Sequence, residues 1–246
     1  MEVFEGEKGF MDAIAGCFEI DWLREDLEKA TATILKKYNA EVHSQTAIEC
    51  ALQLKAEEKF DSIEIQHVDM ETFDVAYHII GGGDEGDKMA VSTKEEADHS
   101  LPYLISVAFL DGQVMPEQYT AERITRGDVQ RLLQKVSIRP SDEFSNRFPK
   151  EMPCRLTMTL RNGRVVSKEI HDYPGFISQP MSWEMAFEKF ERITAPFTTA
   201  PLRRSIGETV KNLDSVQVRD LTKLFHNIER PHSKLPVKAP HAGKHV

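Results

Sequence analysis

The sequence predicts an α+β protein in which a mixed α/β region is inserted between helical segments that pack together as one domain. Three observations carry that expectation. Residues 155–160 and 164–170 alternate and flank Asn162-Gly163, the pattern of a hairpin closed by a type I′ turn. Residues 97–112 form the most apolar stretch of the chain, long enough for a buried helix and closed by Gly112. Helical faces recur near both ends, with Leu27, Ala30, Ile34 and Leu35 on one side and Met185, Ala186, Phe187, Phe190 and Ile193 on the other.

In chain order, residues 1–11 read as a loop cut from a larger domain, because Val3, Phe4, Phe10 and Met11 are interrupted by two glycines. Asp21 is the expected N-cap of a short helix over 24–37. A second helix begins near Ser44 or Gln45, since Ala47, Ile48, Ala51, Leu52 and Leu54 fall at helical offsets, and Ser44 is its expected cap. Residues 62–68 alternate as a strand, with Ile63, Ile65 and His67 on one face; 73–80 fits helix or strand. Residues 81–88 are a glycine-rich loop whose acids would repel phosphate and which lacks the GK[ST] of a P-loop.

Ser92 precedes Glu95 by three residues, as Thr93 precedes Glu96, so a capping box opens a helix there. Pro102 enters the first turn of the buried helix. Short helices are expected over 116–119 and 128–135, then a strand over 136–139 and the hairpin. Past 172 the composition changes. Ser182 caps a helix over 183–193, two more cover 202–210 and 216–228, and 230–246 reads as a disordered tail. The expected divisions are therefore 1–37, 38–172, 173–229 and 230–246.

Lys+Arg number 31 against 40 Asp+Glu, a formal charge of -9, with no basic block, which argues against nucleic-acid binding. Cys17, Cys50 and Cys154 are odd in number and far apart, so they read as buried thiols rather than disulfides, a zinc site or cluster ligands. No apolar run reaches the roughly 20 residues of a membrane span. A soluble intracellular protein without metal or cofactor is expected.

His43 is the leading chemical candidate. One residue before a helix cap, free backbone N–H groups and the positive end of the helix dipole converge, which favours carboxylate binding and the neutral, proton-accepting imidazole. The alternative is a packing residue at the helix entry. Asp98 and His99 stand at the mouth of the apolar helix, either as an acid–histidine pair facing a cleft or as a capping aspartate beside a packed histidine. His67 reads as structural or exposed and His171 as exposed. His232, His241 and His245 are too irregularly spaced for a metal site.

Residues 36–49 (KKYNAEVHSQTAIE), 97–103 (ADHSLPY) and 4–10 (FEGEKGF) closely resemble the MmgE/PrpD family, whose best-known members are 2-methylcitrate dehydratases. The similarity runs from Val3 to about Ile228. It implies a large all-helical domain formed by both ends of the chain, with a smaller α/β lid between them. Family members are about twice as long, so the resemblance also implies that this chain is their C-terminal half and that much of the helical domain is absent. It makes His43 the catalytic histidine of this half. Lys36, Lys37, Gln45, Asp98 and His99 become substrate-binding or supporting residues. The implied reaction is removal of water from 2-methylcitrate, giving 2-methyl-cis-aconitate in propionate catabolism, without an iron–sulfur cluster. The implied partners are a small tricarboxylate, an N-terminal half of the same family and a second copy in a homodimer. The implied compartment is the cytoplasm, or the mitochondrial matrix in a eukaryote. Decarboxylation of cis-aconitate, epimerisation of iminodisuccinate, a non-catalytic binding module and an inactive remnant are the alternatives.

Overall fold

The structure, a computed structural model, describes residues 9–11, 16, 33–84 and 86–228. The chain divides into two units, Met1–Ile34 and Leu35–Val246. Little of the first is described. Asp21, most of the helix expected over 24–37, the motif at 4–10, Cys17 and the tail lie outside the described residues; where it is described, 33–37 is not helical.

Within the second unit, α-helices pack against a four-stranded mixed sheet of order β2-β1-β3-β4. β1 is Ile65–Thr72, β2 Val136–Pro140, β3 Cys154–Leu160 and β4 Val165–Ile170. β1 pairs parallel with β2 and antiparallel with β3, which pairs antiparallel with β4.

The first strand departs from its expected start and face. Asp61 and Glu64 form a reciprocal capping box that holds Ser62–Glu64 in a 3-10 turn, so Ile63 projects outward at 72 % exposure. A register shift between Ile65 and His67 then changes parity, burying Ile65, Val68 and Met70 while His67 faces the other side. On that other face, one row across the sheet reads Arg139, Glu71, Arg155, Glu169, with ion pairs of 2.6, 2.5 and 2.6 Å. Alternating sign in a cross-strand row lets every neighbour attract.

The hairpin is present, but its turn is not type I′. Gly163 N–H donates to the Leu160 carbonyl and only Gly163, at φ 84°, is left-handed; Asn162 is not. A type I turn followed by one left-handed glycine closes the loop with an extra residue.

α1 (Gln45–Glu58) and α2 (Leu101–Asp111) pack together and against the sheet, and α3 (Gly127–Leu133) packs on α2. In α2 Leu101, Tyr103, Leu104, Ile105, Val107, Ala108 and Phe109 are fully buried, and each large side chain contributes about 1.5–3 kcal/mol by leaving water. Within the apolar stretch the buried helix begins at Leu101, as expected. A short helix, Lys94–Asp98, opens on the Thr93–Glu96 capping box, and the chain breaks at His99. Ser100 then caps α2 by accepting from Tyr103 N–H, with Pro102 in the first turn and Gly112 left-handed at the end. Glu96 accepts from Ser92 as well, and these backbone and hydroxyl donors hold its carboxyl at about 2. The 73–80 segment is a helical turn, Asp74–Ala76, running into a π turn, Tyr77–Gly81.

α4 (Trp183–Thr194, capped by Ser182), α5 (Ala200–Lys211) and α6 (Val218–Phe225) follow. The contiguous core runs from Tyr38 to Val166 and takes no residue from these three helices. Among the described residues, no helix is long and apolar enough to cross a membrane. Cys50 and Cys154 are buried free thiols.

Candidate functional site

The segment leading into α1 is built by Glu41. A 3-10 turn, Val42–Ser44, precedes the helix, and the Glu41 carboxylate caps that turn by accepting the His43 backbone N–H at 2.7 Å. Ser44 is not the side-chain cap expected from sequence; it has helical dihedrals, and its hydroxyl donates backward to the Glu41 carbonyl at 2.6 Å. An extra tight turn has moved the cap three residues upstream.

The same carboxylate reaches the His43 ring, with Oε1 2.8 Å from Nδ1. A carboxylate accepts, so Nδ1 carries the hydrogen, and in the neutral imidazole Nε2 is then the acceptor. Aromatic rings fix the imidazole from the side. Phe73 meets it edge-on at 5.8 Å and Phe148 at 6.0 Å, and these two phenylalanines stack on each other at 4.5 Å. The His43 side chain keeps 17 % of its surface in solvent, and among the described residues Nε2 has no hydrogen-bond partner. The buried Tyr173 hydroxyl also lacks one. Burial, then the carboxylates of Asp172 and Glu41, push that phenol up to about 12, so it stays protonated as a donor.

A second cluster supports the first. Gln45 is fully buried, accepts the Tyr38 N–H at 2.8 Å, and turns its amide group to the carbonyls of Tyr38, Ala40 and Glu41 at 3.2–3.4 Å. Its amide is committed to the loop that carries Glu41. Lys37 is half-buried and pairs with Glu49 at 2.7 Å; the Tyr38 hydroxyl donates to the same oxygen, and Gln53 donates to the other at 2.7 Å. Burial raises the Glu49 carboxyl, and the three donors more than reverse this, leaving it below its ordinary value. Tyr38 is pushed far up by burial and then by Glu49. Lys36 is exposed, and its carbonyl accepts from Lys189.

Asp98 and His99 are adjacent but loosely joined, at 3.6 Å, with side chains one-third and one-half exposed. Asp98 faces the buried Tyr119 hydroxyl, which makes no well-aligned hydrogen bond; burial, then Asp98, raise that phenol. None of the hydrogen bonds or ion pairs of Asp98 or His99 reaches His43. His67 meets Asp69 at 3.1 Å, and His171 is exposed beside Arg147. Among the described residues, no group of three or more His, Cys, Asp or Glu is placed to hold a metal ion.

Residues 38–215 match the model of the MmgE/PrpD C-terminal domain. The chain belongs to the MmgE/PrpD family. Among curated relatives, the cis-aconitate decarboxylases of Mus musculus and Homo sapiens are 22 % and 26 % identical over 125 residues, 51 % of this chain and 25–26 % of theirs. The mitochondrial 2-methylcitrate dehydratase of Yarrowia lipolytica is 25 % identical over 175 residues, 68 % of this chain and 33 % of its own length. The chain thus spans about a quarter to a third of the curated relatives it matches. Within this MmgE/PrpD chain, Glu41, His43, Gln45, Asp98, His99 and Tyr173 fall inside the matched residues, whereas Lys36 and Lys37 lie just before them.

Sequence reasoning missed Glu41 as a partner of His43, together with Phe73, Phe148 and Tyr173. A Glu-x-His spacing is legible in sequence, but it becomes a ring contact only because the backbone turns there in 3-10 form. The aromatic walls lie 30 and 105 residues away, and no local pattern joins them to His43.

Proposed function

We propose that this chain supplies the histidine-bearing half of a lyase site for a small tricarboxylate, and that its reaction is dehydration of 2-methylcitrate to 2-methyl-cis-aconitate. The observation that carries this reading is the Glu41–His43 pair, an imidazole oriented by a carboxylate with its Nε2 left unpartnered. In this mechanism Nε2 takes the proton from the carbon beside a substrate carboxylate. The C–O bond of the neighbouring carbon then breaks, and hydroxide departs as water with a proton from an acid. Tyr173, a buried phenol that feels the Glu41 carboxylate, is the donor this chain offers, and the remaining cationic and amide groups that hold the developing charge come from an N-terminal half. Family membership and the Yarrowia lipolytica dehydratase support the reaction class.

The domain assignment belongs to this proposal too. Residues 38–172 act as the α/β lid, and 1–37 with 173–229 as the ends of a helical domain completed by the N-terminal half. The absence of α4–α6 residues from the contiguous core supports that division. In this reading Lys36 and Lys37 meet substrate carboxylates, Lys37 by exchanging its Glu49 partner for the substrate, Gln45 holds the loop, and Asp98–His99 is a second polar pair on the lid. A homodimer in the cytoplasm or mitochondrial matrix completes the expectation.

Decarboxylation of cis-aconitate is the second reading, favoured by the mouse and human relatives. Both are tested together by co-expressing this chain with an N-terminal half of the family and following 2-methylcitrate dehydration and carbon dioxide release from cis-aconitate. Dehydration that appears on mixing and is lost in His43→Ala supports the first reading. Carbon dioxide release without dehydration supports the second. An active pair indifferent to His43→Ala would sink both.

A further inference from the structure

A cavity of about 260 Å³ lies between the 112–115 loop, the Lys37–Tyr38 segment and α4. Glu41, His43, Phe73 and Phe148 do not line it. Its charged lining is Lys37, Lys189 and Arg192 against a single acid, Glu188, a local cationic excess in a chain of net charge -9. The three cations differ in how they are satisfied. Lys37 is paired with Glu49 at 2.7 Å, and Arg192 donates to Gln113 and stands 3.7 Å from the Glu117 carboxylate. Lys189 has only the neutral Lys36 carbonyl, and among the described residues no carboxylate lies within ion-pair distance of it. Burial, then the Lys36 ammonium, lower its pKa. Lys189 is only partly buried, so the cost of its missing counter-charge is moderate, and an anion beside it relieves that cost.

Lys189 and Arg192 are three residues apart on α4, so they share one face of the helix. Leu52, Met115, Met181 and Met185 supply the apolar part of the wall. The volume falls just under the roughly 300 Å³ at which drug-sized pockets begin, which suits a metabolite. We propose that this cavity binds a small carboxylate anion with an apolar flank, its charged end between Lys189 and Arg192 and its carbon skeleton against the methionines. Arg192 can present its guanidinium fork to a carboxylate in place of Gln113. Inorganic phosphate satisfies the charge alone, whereas the methionine and leucine surface favours carbon. The site shares Lys37 with the lyase reading but neither Glu41 nor His43, so it stands whether or not His43 is catalytic.

The test labels the methionine methyl groups of the full chain with carbon-13 and titrates it with 2-methylsuccinate and, separately, inorganic phosphate, watched by NMR. Single Met→Leu substitutions assign the signals. Met115, Met181 and Met185 are expected to shift saturably with 2-methylsuccinate, and phosphate to bind more weakly. Lys189→Gln and Arg192→Gln should each weaken binding about tenfold, the effect of losing one charge-assisted hydrogen bond. His43→Ala should leave it unchanged. The proposal is overturned by any of four results: no saturable shift, affinity unaffected by both α4 substitutions, phosphate binding as tightly as the dicarboxylate, or binding that disappears in His43→Ala.

Discussion

The Glu41 carboxylate holds His43 twice, by its backbone N–H at 2.7 Å and by its ring Nδ1 at 2.8 Å. Glu41→Ala removes the turn's cap and the ring's anchor together. The expected loss is about 1 kcal/mol of stability, the usual effect of deleting a cap, seen as a lower urea midpoint. In a reconstituted enzyme the same change should lower kcat more than it raises KM, because the substituted side chain orients the base rather than binding substrate. A variant with unchanged kcat would show that the ring needs no carboxylate.

Glu49 links acid stability to the same loop. Its carboxyl is depressed in the folded protein, so its contribution is fully present above its unfolded value, near 4.5, and is lost as pH falls through the lower folded value. Tyr38→Phe removes one of the three donors and lets the folded value rise. The acid-unfolding midpoint, followed by circular dichroism below pH 4.5, should therefore move to higher pH. A midpoint that stays in place would mean that Lys37 and Gln53 hold the carboxylate without Tyr38.

Gln45→Ala separates a structural amide from a substrate-binding one. The Tyr38 N–H and three loop carbonyls lose their side-chain partner in a buried place, and the expected cost is about 2–3 kcal/mol. Denaturant unfolding of the chain alone, without substrate, reads this directly. A midpoint equal to that of the unsubstituted protein would return Gln45 to the substrate.

Gly175 marks a close approach. Its φ is +119°, and a Cβ there would stand 2.2 Å from the Leu35 carbonyl oxygen. The same two residues are joined by the Leu35 N–H to Gly175 carbonyl bond at 2.8 Å. Gly175→Ala should cost about 2–3 kcal/mol through backbone strain and displacement of Leu35. Thermal unfolding would detect it, and an unshifted Tm would mean the 35–175 contact yields freely.

Much of the fold was legible because local physics decided it. The Thr93–Glu96 box, Pro102 in the first turn, Gly112 at the end of α2, Ser182 before α4 and the paired strands around Asn162-Gly163 are short-range signals, and each stands where its chemistry requires. The errors have local causes that sequence hides. A bulge after Ile65 reversed the strand's faces, a 3-10 turn transferred the cap from Ser44 to Glu41, and a single left-handed glycine gave a longer turn than type I′.

The sequence by itself determined the α+β class, the place of His43 at the entrance to α1, the buried state of Cys50 and Cys154, and the motifs of the MmgE/PrpD family, since these rest on composition, periodicity and residues adjacent in the chain. Only the tertiary structure decided what His43 touches, that Gln45 and Lys37 serve Glu41 and Glu49, and that Lys189 faces a cavity with no carboxylate of the described residues within ion-pair distance. The nearest of those partners, Glu41 for His43, is two residues away and is set by the 3-10 turn, whereas Phe73, Phe148 and the Lys36–Lys189 contact join residues 30 to 153 apart. Packing, not local preference, brings the distant ones together.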